Sequence, residues 1–279
     1  ADIDRDKLIA LMVGREVKIK NYANLSEKGE AILEVMNLSK RGNFKDINFT
    51  LHKGEVLGIT GLVGAGRSEM VQTLFGIQMP DSGSIKIEGK PITIHNPWEA
   101  LEAGIAYVPE NRQTQGLVLD KSIEQNMTPP LLKKYTNKFG LVKLEQQRAS
   151  VEKLIRKLDV RPRDPELLAK QLSGGNQQKV VIAKWIATNA KILIVDEPTT
   201  GVDIGAKSEI YLILRELAAQ GVSIIMISSE LPEVMSVSDR ILVMRKGRIS
   251  GEFLNDGLTQ EMIMDKAVLQ WHLNNAAAG

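Results

Sequence analysis

The run from Glu55 to Phe75, EVLGITGLVGAGRSEMVQTLF, limits what this chain can fold into more than any other stretch, because it reads as strand, glycine loop, helix. Glu55 to Thr60 is a short apolar strand. Arg67 to Phe75 places Met70, Val71 and Leu74 on one side of a helix. The loop residues Gly61, Leu62, Val63, Gly64, Ala65, Gly66, Arg67, Ser68 and Glu69 follow the pattern G-x-x-x-x-G-K-[ST] with one exchange: Arg67 stands where lysine is expected. In this pattern glycines let backbone N–H groups close around a phosphate. A cation then reaches the terminal phosphates, and a hydroxyl, here that of Ser68, holds Mg²⁺. A glycine turn can also serve packing alone, but both outer glycines, the serine and the strand–helix context are matched. The loop therefore points to a nucleoside triphosphate. Replacing a compact ammonium by a planar fork argues against rapid turnover.

Around this unit the chain alternates. AILEVMNL from Ala31 and KDINFTLHKGE from Lys45 read as two antiparallel strands, and SIKIEGKPITI reads as a hairpin. GIAYVPE is a short strand ending at Glu110. From Asn111 to about Asn189 strand signals vanish, and helical spacing takes over in Lys143 to Asp159 and Asn176 to Thr188. KILIVDEP, a helix from Ala206 to Ala219, the strand VSIIMIS and the hairpin DRILVMRKGRISGEF resume the alternation. This order predicts an α/β fold with a largely parallel sheet and a helical insert. Residues 1–28, with a short helix over Arg5 to Met12, read as the tail of something upstream plus a linker. Residues 271–279 read as a disordered tail.

The 279 residues carry 43% hydrophobic and 25% charged side chains, ordinary for a globular protein, and no cysteine that could form a disulfide or a thiolate metal site. A net charge of +2 with both signs mixed gives no basic footprint for nucleic acid. No apolar run approaches the roughly 18 residues of a membrane span. A cytoplasmic chain, or a cytoplasmic piece of one, is expected.

Two further strings carry chemistry. Ile192 to Glu197, ILIVDE, is an apolar strand ending in two acids. Buried strands often end in a solvated acid. Beside a phosphate loop, however, Asp196 is placed to ligate Mg²⁺ and Glu197 to orient and polarise an attacking water. Gln171 to Lys179, QLSGGNQQK, places Ser173 as a helix N-cap, with Gly174 and Gly175 allowing close backbone approach to an anion at a helix N-terminus.

In that string, Leu172, Ser173, Gly174, Gly175, Asn176 and Gln177, the sequence resembles the signature motif of the ATP-binding cassette ATPases. The resemblance implies a P-loop, RecA-like core (29–110 and 190–270) with an antiparallel β subdomain and an inserted α-helical subdomain (111–189). It implies ATP and Mg²⁺ as cofactors, and a signature that closes over nucleotide held by a partner domain. Gly201, Val202 and Asp203 fall at the D-loop. Glu110 falls where the family has a glutamine that contacts Mg²⁺ and senses the membrane subunit, and Ser229 where it has a switch histidine. None of the three histidines, His52, His95 and His272, follows that strand. The only aromatic near the adenine-stacking position is Phe44, whose alternation suits the core equally well.

Taken with YVPENR, DEPTTGVDIGAK and SSELPEV, these motifs closely resemble the C-terminal half of the ribose/galactose-type sugar importer ATPases, from Lys7 to about Ala267. In that family two cassettes share one polypeptide and the second is degenerate. The resemblance implies a C-terminal cassette whose loop binds Mg-ATP but hydrolyses it weakly, and whose signature completes the site of an N-terminal cassette. The implied partners are that cassette, an integral-membrane permease and, indirectly, a periplasmic or extracellular sugar-binding protein. The implied location is peripheral, on the inner face of the membrane. Exposed apolar residues from Leu117 to Leu132 are expected to form the docking surface. A regulatory module that never hydrolyses and a soluble, non-transport cassette ATPase are the alternatives.

Overall fold

The computed structural model describes residues 29–268. The expected helix over Arg5 to Met12, the linker and the C-terminal tail from residue 271 lie outside the described residues. In chain order the elements are β1 (Ala31–Lys40), β2 (Phe44–His52), β3 (Val56–Gly61), α1 (Arg67–Leu74), β4 (Ser82–Ile87), β5 (Lys90–Ile92), α2 (Pro97–Glu102) and β6 (Ile105–Val108). A single π-helical turn, Arg112–Gly116, leads to α3 (Ile123–Met127), α4 (Leu132–Tyr135), α5 (Leu144–Lys157) and α6 (Gly174–Ile186). Then follow β7 (Ile192–Asp196), α7 (Ile204–Ala219), β8 (Ser223–Ile227), α8 (Leu231–Val237), β9 (Arg240–Arg245), β10 (Arg248–Leu254) and α9 (Gln260–Val268).

Strands β3, β6, β7 and β8 are continuous apolar runs because both faces of their sheet are covered. The pleat sorts their side chains into two cores. Leu193, Val195, Ala106, Val108, Ile224 and Met226 point to the side packed by α6 and α7. Ile192, Ile194, Ile105, Tyr107, Ile225 and Ile227 point to the other side, with Met70, Val71 and Leu74 of α1 and the inner face of the second sheet. A smaller core joins α8 and α9 to β9 through Val234, Ile241, Val243, Ile263 and Ala267.

The strand order of the larger sheet is β10-β9-β3-β8-β7-β6, with β10 antiparallel at its edge and the other pairings parallel. The smaller sheet, β2-β1-β4-β5, is antiparallel. Phe44, left between core and nucleotide in the sequence, is only 3% exposed and belongs to the core under this sheet. Between β6 and β7 the described residues form helices and turns, with two isolated bridges, Ser122 to Leu168 and Thr136 to Val142.

In a parallel sheet, all loops that follow strands emerge at one edge, where ligands of open α/β sheets bind. The loops after β3, β6, β7 and β8 hold Gly61–Gly66, Glu110, Glu197 and Ser229 respectively. Adjacency of β3 to β8 and of β8 to β7 sets these loops side by side. Among the described residues no helix is long and apolar enough to cross a membrane.

Candidate nucleotide site and signature surface

The loop after β3 has a backbone that only glycine accommodates at its ends. Gly61 has φ +151°, and a Cβ there would lie 2.1 Å from the Met244 carbonyl oxygen. Gly66, at φ +89°, occupies the N-cap position of α1, and its Cβ would meet the Asn43 carbonyl oxygen at 2.7 Å. Between them Leu62, Val63 and Gly64 are exposed and Ala65 is buried. Glu69 occupies the first turn of α1, where a carboxylate complements the helix dipole.

Ser68 and Asp196 meet at this edge. The Ser68 hydroxyl donates to Asp196 Oδ1 at 3.2 Å, and the Tyr107 hydroxyl donates to Asp196 Oδ2 at 3.1 Å. Asp196 is fully buried. Burial pushes its carboxyl up to about 6 against the pull of those two bonds, and the Glu110 and Glu197 carboxylates push it further. Glu110 itself is exposed, past the end of β6. Among the described residues no three His, Cys, Asp or Glu side chains gather as a metal cage. A hydroxyl and one buried carboxylate are hard oxygen donors that suit Mg²⁺, which is commonly held by one or two carboxylates together with substrate phosphates.

Arg67 and Glu197 engage each other rather than the loop. Arg67 is 8% exposed; its Nη1 donates to the Ser228 carbonyl at 3.0 Å, and its Nη2 lies 3.9 Å from Glu197 Oε1. Glu197 Oε1 also accepts from the Ser229 backbone N–H at 2.8 Å. Burial raises the Glu197 carboxyl above its usual range, opposed by hydrogen bonds from Ser229 and by the Arg67 charge. Its φ of +46° is left-handed, which costs a non-glycine residue on the order of 1–3 kcal/mol and is found where a function fixes the backbone. Behind this pair, the buried Glu233 accepts from Ser228, Thr199 and Lys207, which locks the loop after β8 onto α7 and α8.

The signature residues form a separate surface. Ser173 caps α6, its Oγ accepting from the Asn176 backbone N–H. Asn176 Nδ2 also bonds this oxygen, while Asn176 Oδ1 accepts from the Arg161 N–H. Gly174 and Gly175 are small by necessity: a Cβ on Gly175 would sit 2.5 Å from Ala206 Cβ. Leu172 and Val202 are buried in the core, and Gln177 donates to the Ala169 carbonyl at 3.1 Å. Gly201 has φ +65°, and Asp203 caps α7 by accepting from the Ala206 N–H at 3.0 Å.

The fold thus brings the 61–69 loop, Asp196, Glu197 and Ser229 into one site, with Glu110 within electrostatic reach, and sets Leu172–Gln177 beside Gly201–Asp203 in another. Tyr107, Ser228, Glu233 and Arg112, which bind these groups, were missed in the sequence. Tyr107 could have been suspected only from the pairing of β6 with β7. Of the stretch expected to expose an apolar docking surface, Leu117, Ile123, Met127 and Leu131 are buried; Val118 and Leu132 are exposed. Leu117, Ile123 and Met127 belong to the core that α6 and α7 share.

A phosphate-type glycine loop at the edge of a parallel sheet, with a separate serine–glycine signature on an inserted helix, defines a nucleotide-binding cassette. The chain belongs to the ABC transporter family, whose pattern it matches over residues 44–200. The ribose import ATP-binding protein RbsA of Clostridium perfringens (strain 13 / Type A) is 49% identical over 267 residues, covering 96% of this chain and 53% of that protein. Its namesake in Bacillus subtilis (strain 168) is 47% identical over 267 residues, covering 96% and 54%. The chain spans about half the length of these curated relatives. Among solved structures, a nucleotide-free ATP-binding cassette from an ABC transporter superposes with TM-score 0.71 at 25% identity, covering 86% of this chain and all of that one. The ADP conformation of the cassette MJ1267 gives 0.69 at 27%, covering 85% and 94%.

Proposed function

We propose that this chain is the C-terminal cassette of a two-cassette ATPase that energises monosaccharide import. It binds Mg-ATP in the 61–69 loop, hydrolyses it poorly, and lends Leu172–Gln177 and Gly201–Asp203 to nucleotide held by the N-terminal cassette. Similarity to ribose import proteins along nearly the whole chain supports the substrate class and, with it, a membrane permease and a sugar-binding protein as partners. Val118 and Leu132 are the apolar side chains that we assign to the permease contact.

The observation that carries the weak-hydrolysis reading is the position of Arg67. Its guanidinium is hydrogen-bonded to the Ser228 carbonyl and lies 3.9 Å from Glu197, so it is already engaged by protein acceptors in place of a phosphate. The same contact works on Glu197. The guanidinium and the Ser229 backbone N–H engage Glu197 Oε1, the oxygen that would otherwise be open to an attacking water, and they oppose the rise in basicity that burial gives this carboxylate. When bound, Mg²⁺ would neutralise phosphate charge, with Ser68 and Asp196 as its protein ligands. The backbone N–H groups of Gly64–Ser68 would orient the phosphates.

ATP turnover by the purified chain, alone and mixed with the N-terminal half, tests this proposal. Little turnover alone and restoration on mixing are expected. Robust turnover by the chain alone, abolished by Glu197→Gln, would overturn it.

A further inference from the structure

Arg112 is buried, with 9% of its surface exposed, and among the described residues it has no carboxylate partner. Its guanidinium instead meets three neutral oxygens. Nη1 donates to the Thr200 carbonyl, Nη2 to the Gly201 carbonyl at 2.8 Å, and Nε to Gln177 Oε1 at 3.4 Å. Burial lowers the pKa of this side chain. A cation without a counter-ion is costly to bury, so a neutral residue would sit here more cheaply if packing were all that mattered. What arginine alone offers is a rigid fork that binds several acceptors at fixed angles.

Those acceptors lie on pieces far apart in sequence. Arg112 opens the π-helical turn two residues beyond Glu110; Thr200 and Gly201 precede α7; Gln177 is in the first turns of α6. The fit is tight: a Cβ on Gly174 would lie 2.7 Å from Arg112 Nη2 and 2.8 Å from the Gly201 oxygen. The fork therefore lies between the start of α6 and the loop before α7, the two segments that the proposed function directs toward a partner cassette.

We propose that Arg112 is a positioning residue that fixes the Gly201–Asp203 loop against the Ser173–Gln177 signature, so that both are offered as one preformed surface to nucleotide held by the other cassette. It also ties that surface to the turn carrying Glu110. This inference rests on the reading that the signature serves a partner's nucleotide.

The test is steady-state ATP hydrolysis by the full two-cassette protein carrying Arg112→Gln, Arg112→Lys or, as a control on the reading, Ser173→Ala. Arg112→Gln is expected to lower kcat at least tenfold while leaving the KM for ATP within twofold, because the ATP is held by the other cassette. Arg112→Lys keeps the charge, but one ammonium cannot span the three acceptors, so it should stay at least threefold below the parent. Hydrogen exchange should show amides 174–177 and 200–203 losing protection together in both variants. Full activity of Arg112→Lys would overturn the role of the fork, and a KM that rises as kcat falls would overturn positioning across the interface. If Arg112→Gln does not fold, Arg112→Lys decides. Undiminished turnover in Ser173→Ala would remove the reading itself and the inference with it, whereas a damaged Ser173→Ala beside intact Arg112 variants would sink the inference alone.

Discussion

At the residue scale, Asp196 shows a functional group held at a cost to stability. Its carboxyl, raised by burial from the usual 3.8 to about 6, binds a proton more tightly in the folded chain than in the unfolded one. Its contribution to stability is therefore complete below about 3.8 and is lost as pH rises through about 6. Asp196→Asn keeps an acceptor for Tyr107 and can donate to Ser68 without carrying charge. The metal-free variant should melt several degrees above the parent at pH 8, and the difference should shrink as pH falls through about 6 and vanish only below about 3.8. Mg²⁺-dependent nucleotide binding by the same variant should fall at least tenfold, as equilibrium titration would reveal. Arg67 offers the complementary experiment. Lysine cannot fork between the Ser228 carbonyl and Glu197, so Arg67→Lys should free its ammonium for phosphate. Mg-ATP binding to the isolated chain should tighten severalfold, and unchanged affinity would show that the arginine contact does not restrain the site.

At the element scale, α6 separates two effects that the signature sequence merges. Ser173 is exposed and caps the helix, so Ser173→Ala should cost about 1 kcal/mol of stability. Gly175 is buried against α7, and the 2.5 Å approach of a new Cβ to Ala206 makes Gly175→Ala an overpacking change costing about 1–3 kcal/mol. Denaturant melts of the two variants should therefore differ, which makes Ser173→Ala the cleaner probe of function. The caps also explain where the sequence reading fell short. Helices α6 and α7 begin at Gly174 and Ile204, two residues ahead of the apolar periodicity, because Ser173 and Asp203 satisfy their first N–H groups. Strand and helix positions were legible because each is written in local spacing, and the 61–69 loop because its glycines are dictated by its own backbone. Arg112 was not. Its partners Thr200 and Gly201 are 88 and 89 residues away, and nothing in ENRQTQG distinguishes a buried fork from a solvated arginine. The sequence shows that Ser229 stands where a histidine is expected, but only the fold reveals that its backbone N–H and Arg67 meet the same carboxylate.

At the scale of the whole molecule, the two groups of residues are held in different ways. Arg67 is engaged by the Ser228 carbonyl and lies 3.9 Å from Glu197, whereas the signature has a serine cap, close-packed glycines and a buried arginine behind them. If the chain completes a site whose ATP sits on another cassette, then damage to its signature must be felt more than damage to its loop. In the full two-cassette protein, Ser173→Ala should reduce ATP turnover and sugar uptake at least fivefold, and Arg67→Ala should reduce them less than twofold. Each variant's own stability, measured on the isolated chain, sets the baseline, since a capped helix that frays would lower both readouts without touching chemistry. Uptake of radiolabelled sugar into vesicles, read beside phosphate release, separates coupling from hydrolysis: loss of uptake with phosphate release intact would place the signature in transmission to the permease. The reverse order of severity, with Arg67→Ala the more damaging, would make the 61–69 loop the working site and leave the preserved signature without the asymmetric role that best accounts for it.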